Sequence, residues 1–101
     1  MATTNKQSYH EDLIESLKDK EEAVGYLKAS LDESDLPEVF LLALRNVAEA
    51  RGISQLAKDT NLNRENLYKM LSSEGNPKLE SLYAILNSLG LKLSVELKEA
   101  S

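Results

Sequence analysis

Residues 54–73 predict two short helices that meet across a sharp turn. Ala57 is small enough to lie where two helices cross closely, and Asn61 tolerates the positive φ that a sharp turn needs better than most residues other than glycine. Leu62 can fill the space between the helices, and the side chain of Asn63 can cap the second helix. Because these residue types follow one another in the required order, the segment is typical of a helix-turn-helix.

The outward face of the second helix carries side chains that can form hydrogen bonds with nucleic acid. Its inward positions are apolar: Leu67, Met70 and Leu71. Arginine and lysine suit the acceptors of guanine in the major groove, and asparagine suits adenine. The residues predicted to read bases are Arg64, Glu65, Asn66, Tyr68 and Lys69. Ser72 also faces outward. The alternative is that residues 54–73 are only two packed helices of an all-α domain.

Four further residues are candidates for contacts with phosphate. Ser54 and Gln55 begin the first of the two helices, whose free N–H groups and positive dipole end can hold a phosphate. Asn76 and Lys78 lie in the loop after the second helix, where they can bind the nucleic-acid backbone. Together these residues predict a DNA-binding surface between positions 54 and 78.

The rest of the chain predicts further helices. Apolar residues at helical spacing predict a first helix over 10–18 and a second that Asp19 caps. Gly25 within the second suggests that another helix crosses there. Pro37 suits the first turn of a third, very apolar helix that Gly52 ends near residue 51. Ser54 is expected to cap the helix that ends near Thr60. The next helices are predicted over 64 to about 73 and over 79–89, the last ended by Gly90.

The alternation of apolar and polar residues over 91–97 predicts one β-strand. Its apolar residues are Leu91, Leu93, Val95 and Leu97. Nothing else in the sequence predicts a strand, and a single strand leaves its backbone groups unpaired. We therefore expect these residues to pair across a symmetric dimer, or to add to a partner's sheet. The alternative is an extended tail packed on the helices.

A chain of 101 residues is long enough for one domain. We expect a flexible tail over 1–9 and a single domain over 10–97. That domain divides into front helices over 10–51, a DNA-binding core over 53–90 and a dimerisation strand over 91–97. The predicted class is all-α with five or six helices and the one C-terminal strand.

The composition excludes several classes of function. The chain has no Cys and one His, His10, for which the sequence indicates no partner, so we expect no metal site. Nothing implies a cofactor or a small-molecule ligand, and the carboxylate clusters near the start of the chain are typical of a solvated surface. We therefore expect a protein that is not an enzyme. No stretch is apolar enough for a membrane span or a secretory signal, which predicts a cytoplasmic protein.

The net charge of −5 is unevenly distributed. Residues 1–44 have a charge of −6, residues 45–78 have +2, and residues 79–101 have −1. This asymmetry is compatible with two partners, one basic and one anionic. The alternative is that the acidic segment is only a solvated surface that aids solubility.

From about Leu13 to Leu97 the sequence resembles the HigA-like antitoxins of addiction modules, which have a phage-repressor (Xre/Cro) type of helix-turn-helix. The resemblance rests on residues 41–52 (LLALRNVAEARG), the predicted helix-turn-helix, residues 74–82 (EGNPKLESL) and residues 89–95 (LGLKLSV). One departure is Asn61, where the family often has glycine. Asparagine can adopt the same backbone conformation.

The resemblance implies a phage-repressor-like fold and two partners. It implies that the protein neutralises a small basic RNA-cleaving toxin of the RelE/HigB type. It also implies that a homodimer represses its own operon. Because such a dimer would place two recognition helices about one DNA turn apart, we expect the operator to be an inverted repeat. Two alternatives remain open on the sequence: a stand-alone Xre-type transcriptional regulator, and a protein-interaction module without DNA binding.

Overall fold

Six helices account for most of residues 6–99, the part of the chain that this computed structural model describes. They are α1 (Lys6–Ser16), α2 (Lys20–Asp32), α3 (Pro37–Arg51), α4 (Ile53–Thr60), α5 (Arg64–Met70) and α6 (Leu79–Ser88). The prediction of a mainly helical protein is confirmed. None of the described helices combines the length and the apolar character needed to cross a membrane.

The helix α3 lies at the centre of the packing and contacts α1, α2 and α4. Leu44 and Ala48 of α3 are fully buried, whereas Leu42 on its outer side is exposed. The core continues through Leu56 of α4 and Ile85 of α6, which are also fully buried. One face of the very apolar helix α3 therefore lies at the centre of the core.

Local sequence signals set the starts of α2 and α3. The carboxylate of Asp19 accepts hydrogen bonds from the backbone N–H groups of Glu21 and Glu22 at 2.8 and 3.2 Å. The predicted cap is thus confirmed, and it satisfies two amides that have no partner within the helix. Pro37 occupies the first turn of α3, where its missing N–H is no loss.

Three details of the helices differ from the predictions. The first helix begins at Lys6, so residues 6–9 are helical rather than part of a tail; residues 1–5 lie outside the described residues. Apart from the backbone of α2 and the residues next to Gly25, no described atom lies within 4 Å of the position that a Cβ of Gly25 would take, so no helix crosses closely there. His10 has a neighbour, since its Nε2 atom lies 3.7 Å from Oε2 of Glu49 on α3.

The predicted C-terminal strand is wrong. Residues 91–99 form no regular secondary structure, and no strand occurs anywhere in residues 6–99. Leu91 is half-buried against the core, but Leu93, Val95 and Leu97 are 44, 97 and 95% exposed. The alternation of side chains is present, yet a β-ladder needs a second edge for its N–H and C=O groups, and residues 6–99 supply none. The fold is therefore all-helical without a paired strand.

Candidate nucleic-acid interface

The turn between α4 and α5 has the backbone conformation that its sequence predicts. Asn61 adopts the left-handed conformation with φ 60° and ψ 26°. Leu62 is half-buried and packs against the core, as expected of a residue that fills the space between two helices. Thr60 strengthens the turn, because its hydroxyl donates to the carbonyl of Leu56 at 2.7 Å and accepts from the N–H of Leu62 at 3.4 Å.

The helix α5 is fixed to the core by one face and presents the other to solvent. The side chain of Asn63 caps α5 by accepting a hydrogen bond from the N–H of Asn66 at 2.7 Å, which confirms the predicted cap. Leu67 and Leu71 are fully buried and Met70 is half-buried. Four of the five predicted base-reading residues are exposed: Arg64, Glu65, Asn66 and Lys69.

The fifth, Tyr68, lies in a different environment. It is half-buried and packs against the core, and the guanidinium carbon of Arg45 on α3 lies 5.0 Å from the centre of its ring. The Nε atom of Arg45 also lies 3.5 Å from a carboxylate oxygen of Glu49. Tyr68 is therefore held between α5 and α3, and Arg45, for which the sequence predicts no role, lies beside α5. Only packing between distant helices reveals this pair.

The start of α4 differs from the prediction. The helix begins at Ile53 with Gly52 at the capping position, where φ is 110°, and no side chain caps it. Ser54 therefore lies inside the first turn, exposed, and is not the cap. Glycine takes this position because a side chain is strained at such a φ. The first amides of α4 thus receive no cap bond from a side chain, which keeps this helix end open to an anion.

Gln55 and Asp59 belong to a polar cluster that ties α4 to its neighbours. The carboxylate of Asp59 accepts hydrogen bonds from Nε2 of Gln55 at 2.8 Å and from the hydroxyl of Ser88 on α6 at 3.1 Å. A guanidinium nitrogen of Arg51 on α3 lies 3.8 Å from it. The hydrogen bonds from Gln55 and Ser88 lower the pKa of Asp59 most, and burial opposes them. The charges of Arg51 and Lys58 lower this pKa further, by smaller amounts.

The loop after α5 presents the two remaining phosphate candidates. Asn76 and Lys78 are exposed, and Lys78 occupies the capping position of α6 without a side-chain cap bond. The candidate interface therefore consists of the exposed face of α5, the start of α4 and this loop. Within the described part of the chain, no group of three or more His, Asp or Glu residues is arranged to hold a metal ion.

The sequence matches the model of a protein family described as probable addiction module antidote protein, over residues 7–97. It is also 39% identical, over 85 residues, to an uncharacterised protein of Haemophilus influenzae (strain Rd). The aligned part covers 84% of this chain and 87% of that protein. No solved structure matches the chain significantly.

Proposed function

The chain belongs to the family of probable addiction module antidote proteins, and on that basis we propose that it is an antitoxin with two binding activities. It neutralises a small basic toxin of the RelE/HigB type, which cleaves RNA. It also represses its own operon in the cytoplasm, as a homodimer bound to an operator. Both activities are binding rather than catalysis.

The observation that carries the DNA-binding half is the arrangement of α5. The helix is anchored by Leu67 and Leu71, which are fully buried, while Arg64, Asn66 and Lys69 are exposed. The cap by Asn63 sets the start of the helix next to these side chains. A recognition helix reads bases with residues near its N-terminus. The exposed groups of α5 therefore lie on the part of the helix that such a mode of binding uses.

The mechanism that follows is passive. Each protomer inserts α5 into a major groove, and the start of α4 and the loop with Lys78 hold phosphates on either side. In a symmetric homodimer the two copies of α5 contact half-sites about one DNA turn apart, roughly 34 Å, so the operator is an inverted repeat. The contacts to phosphate release counterions, so binding weakens steeply as salt concentration rises.

A mobility-shift assay with the DNA upstream of the gene tests this half. Arg64→Ala should weaken binding by about 1–3 kcal/mol and relax the preference for one base. Lys78→Ala should weaken binding to all sequences about equally and reduce the salt dependence. Lys92→Ala is the matched control, because Lys92 is an exposed cation outside the candidate interface. If wild-type protein does not shift its own upstream DNA, or if Arg64→Ala behaves like Lys92→Ala, the repressor proposal is refuted.

The antitoxin half of the proposal requires a neighbouring gene that encodes the toxin. The product of the adjacent open reading frame should be small and basic, should inhibit growth when expressed alone, and should lose that effect when this chain is co-expressed. An adjacent product that inhibits growth equally with and without this chain would refute the neutralising role. If no such neighbouring gene exists and the DNA is still bound, the protein is a stand-alone regulator.

A further inference from the structure

An apolar groove opens on the side of the molecule where the end of α2, the loop into α3 and the turn after α5 meet. Its volume is about 420 Å³. Its apolar lining is Leu31, Leu36, Pro37, Phe40, Pro77 and Leu82. Leu31 and Leu36 are more than half exposed, although leucine side chains of a core would be covered. The groove therefore offers apolar surface that residues 6–99 leave uncovered.

The turn after α5 forms one wall of this groove, and its shape is tightly constrained. Gly75 lines the groove, and its N–H donates to the carbonyl of Ser72 at 2.9 Å. A Cβ at Gly75 would overlap the backbone carbonyl of Met70. Close packing of backbone against backbone constrains this wall of the groove.

The two segments that line the groove carry most of the net charge of the protein. Residues 30–41 hold four carboxylates and no Lys or Arg, and residues 75–82 hold one carboxylate and one Lys, a balance of −4 out of −5. The four carboxylates of the first segment are those of Asp32, Glu33, Asp35 and Glu38. None of them forms an ion pair with another residue in the described part of the chain.

We propose that this groove binds a cationic amphipathic segment of the small basic protein that the antitoxin neutralises. Apolar side chains of the segment enter the groove beside Leu36 and Phe40, and its Lys and Arg side chains face the surrounding carboxylates, among them Asp35 in the lining. Burial of the apolar surface supplies most of the affinity, and the charges speed and orient association. This inference rests on the proposed function, because it assigns that function's partner to a surface.

Charge distinguishes this occupant from the other candidates. A nucleic acid is repelled by the four carboxylates of residues 30–41. A second copy of the chain that presents the same face has the same negative charge, so the two faces repel each other. The exposed C-terminal segment of a second copy, residues 91–99, has two Lys and two Glu and no net charge, so it offers no electrostatic match. A basic partner with apolar anchors is the occupant that satisfies both properties of the groove.

A matched pair of leucine variants tests the apolar half of the proposal. Leu36 and Leu79 are 57 and 59% exposed and both lie at the start of a helix, but only Leu36 lines the groove. Leu36→Ser should weaken binding of the purified product of the adjacent gene by about tenfold or more, as expected for an anchor residue of an interface. Leu79→Ser should leave the Kd within about twofold. Folding is not at risk at position 36, since serine can cap α3.

A pair of charge reversals tests the electrostatic half. Asp35→Lys should lower the association rate and reduce its dependence on salt, because Asp35 lies in the groove. Glu11→Lys, an exposed reversal on α1, should have a much smaller effect on both. Calorimetry gives the Kd of each variant, and stopped-flow mixing at several salt concentrations gives the rate.

The outcomes separate this inference from the proposed function. If the wild-type protein binds the product of the adjacent gene but Leu36→Ser and Leu79→Ser bind it equally well, the groove proposal is overturned and the antitoxin proposal stands. If the wild-type protein does not bind that product, both fall. Equal effects of Asp35→Lys and Glu11→Lys would show that overall charge, rather than this groove, attracts the partner, and would also overturn the groove proposal.

Discussion

Replacement of glycine by alanine should change the free energy of unfolding in opposite directions at two positions. Gly25 is exposed in the interior of α2. Apart from the backbone of α2 and the two adjacent residues, no described atom lies within 4 Å of the place that a Cβ would occupy. Alanine loses less conformational freedom than glycine when a helix forms. Gly25→Ala should therefore stabilise the protein by about 1 kcal/mol.

At Gly75 the same substitution meets the backbone. The new methyl group would overlap the carbonyl of Met70, and a backbone carbonyl cannot move aside as the end of a flexible side chain can. The turn after α5 must shift, at the cost typical of overpacking, about 1–3 kcal/mol. Gly75→Ala should therefore destabilise the protein and distort both the groove and the loop that carries Asn76.

Thermal and urea unfolding, each followed by circular dichroism, measure both changes. For a domain of this size, 1 kcal/mol corresponds to a shift in Tm of about 4–8 °C. Gly25→Ala should raise Tm by that amount and Gly75→Ala should lower it at least as much, with the slope of the urea transition unchanged in both. If Gly25→Ala lowers the free energy of unfolding, there is no room for a methyl group at position 25. If Gly75→Ala leaves it unchanged, Gly75 does not approach the carbonyl of Met70 closely.

Four further variants, at three positions, follow from individual contacts. Asn63→Ala removes the cap of α5 and should cost about 1 kcal/mol, whereas Asn63→Asp should keep it; equal unfolding midpoints for the two would contradict the role of the cap. Tyr26→Phe leaves the side-chain amide of Asn46, which donates to the Tyr26 hydroxyl at 2.8 Å, without its partner, and should cost about 1 kcal/mol in the same assay; no loss would mean that water replaces the bond. The pKa of Asp59 is lowered in the folded state, so its stabilisation is present above the unfolded value of about 4 and is lost as the pH falls towards the folded value. Unfolding of Asp59→Asn should therefore depend less on pH in the acid range, and an unchanged dependence would contradict these interactions.

Features that depend on one residue and its near neighbours in the chain could be predicted from the sequence. Asp19 and Asn63 cap the helices that follow them, and Asn61 adopts a positive φ. In each case the side chain bonds to an amide two or three residues away, or the residue tolerates a conformation that others avoid. Because such interactions involve only a few neighbours in the chain, the order of residue types is enough to predict them.

Features that depend on a distant partner could not be predicted. The alternation of residues 91–97 describes side chains correctly but contains no information about a second strand, and residues 6–99 hold none. Tyr68 is at an outward position by helical spacing, yet Arg45 of α3 lies over its ring. The start of α4 was misplaced because both Gly52 and Ser54 can begin a helix. Gly52, which was expected only to end α3, also takes the capping position of α4. The groove likewise joins segments about forty residues apart.

The order in which the helices pack has a consequence for how fast the chain reaches its native state. Three of the main contacts join consecutive helices: α2 with α3, α3 with α4 and α4 with α5. The other two join helices that are separated by one helix in the chain: α1 with α3 and α4 with α6. Each new helix thus closes a short loop onto a surface already present, which keeps the entropic cost of every step small. Proteins with this local pattern of contacts cross their rate-limiting barrier in microseconds to milliseconds. Temperature-jump relaxation of this chain should fall in that range, with α3 as the surface on which its neighbours assemble.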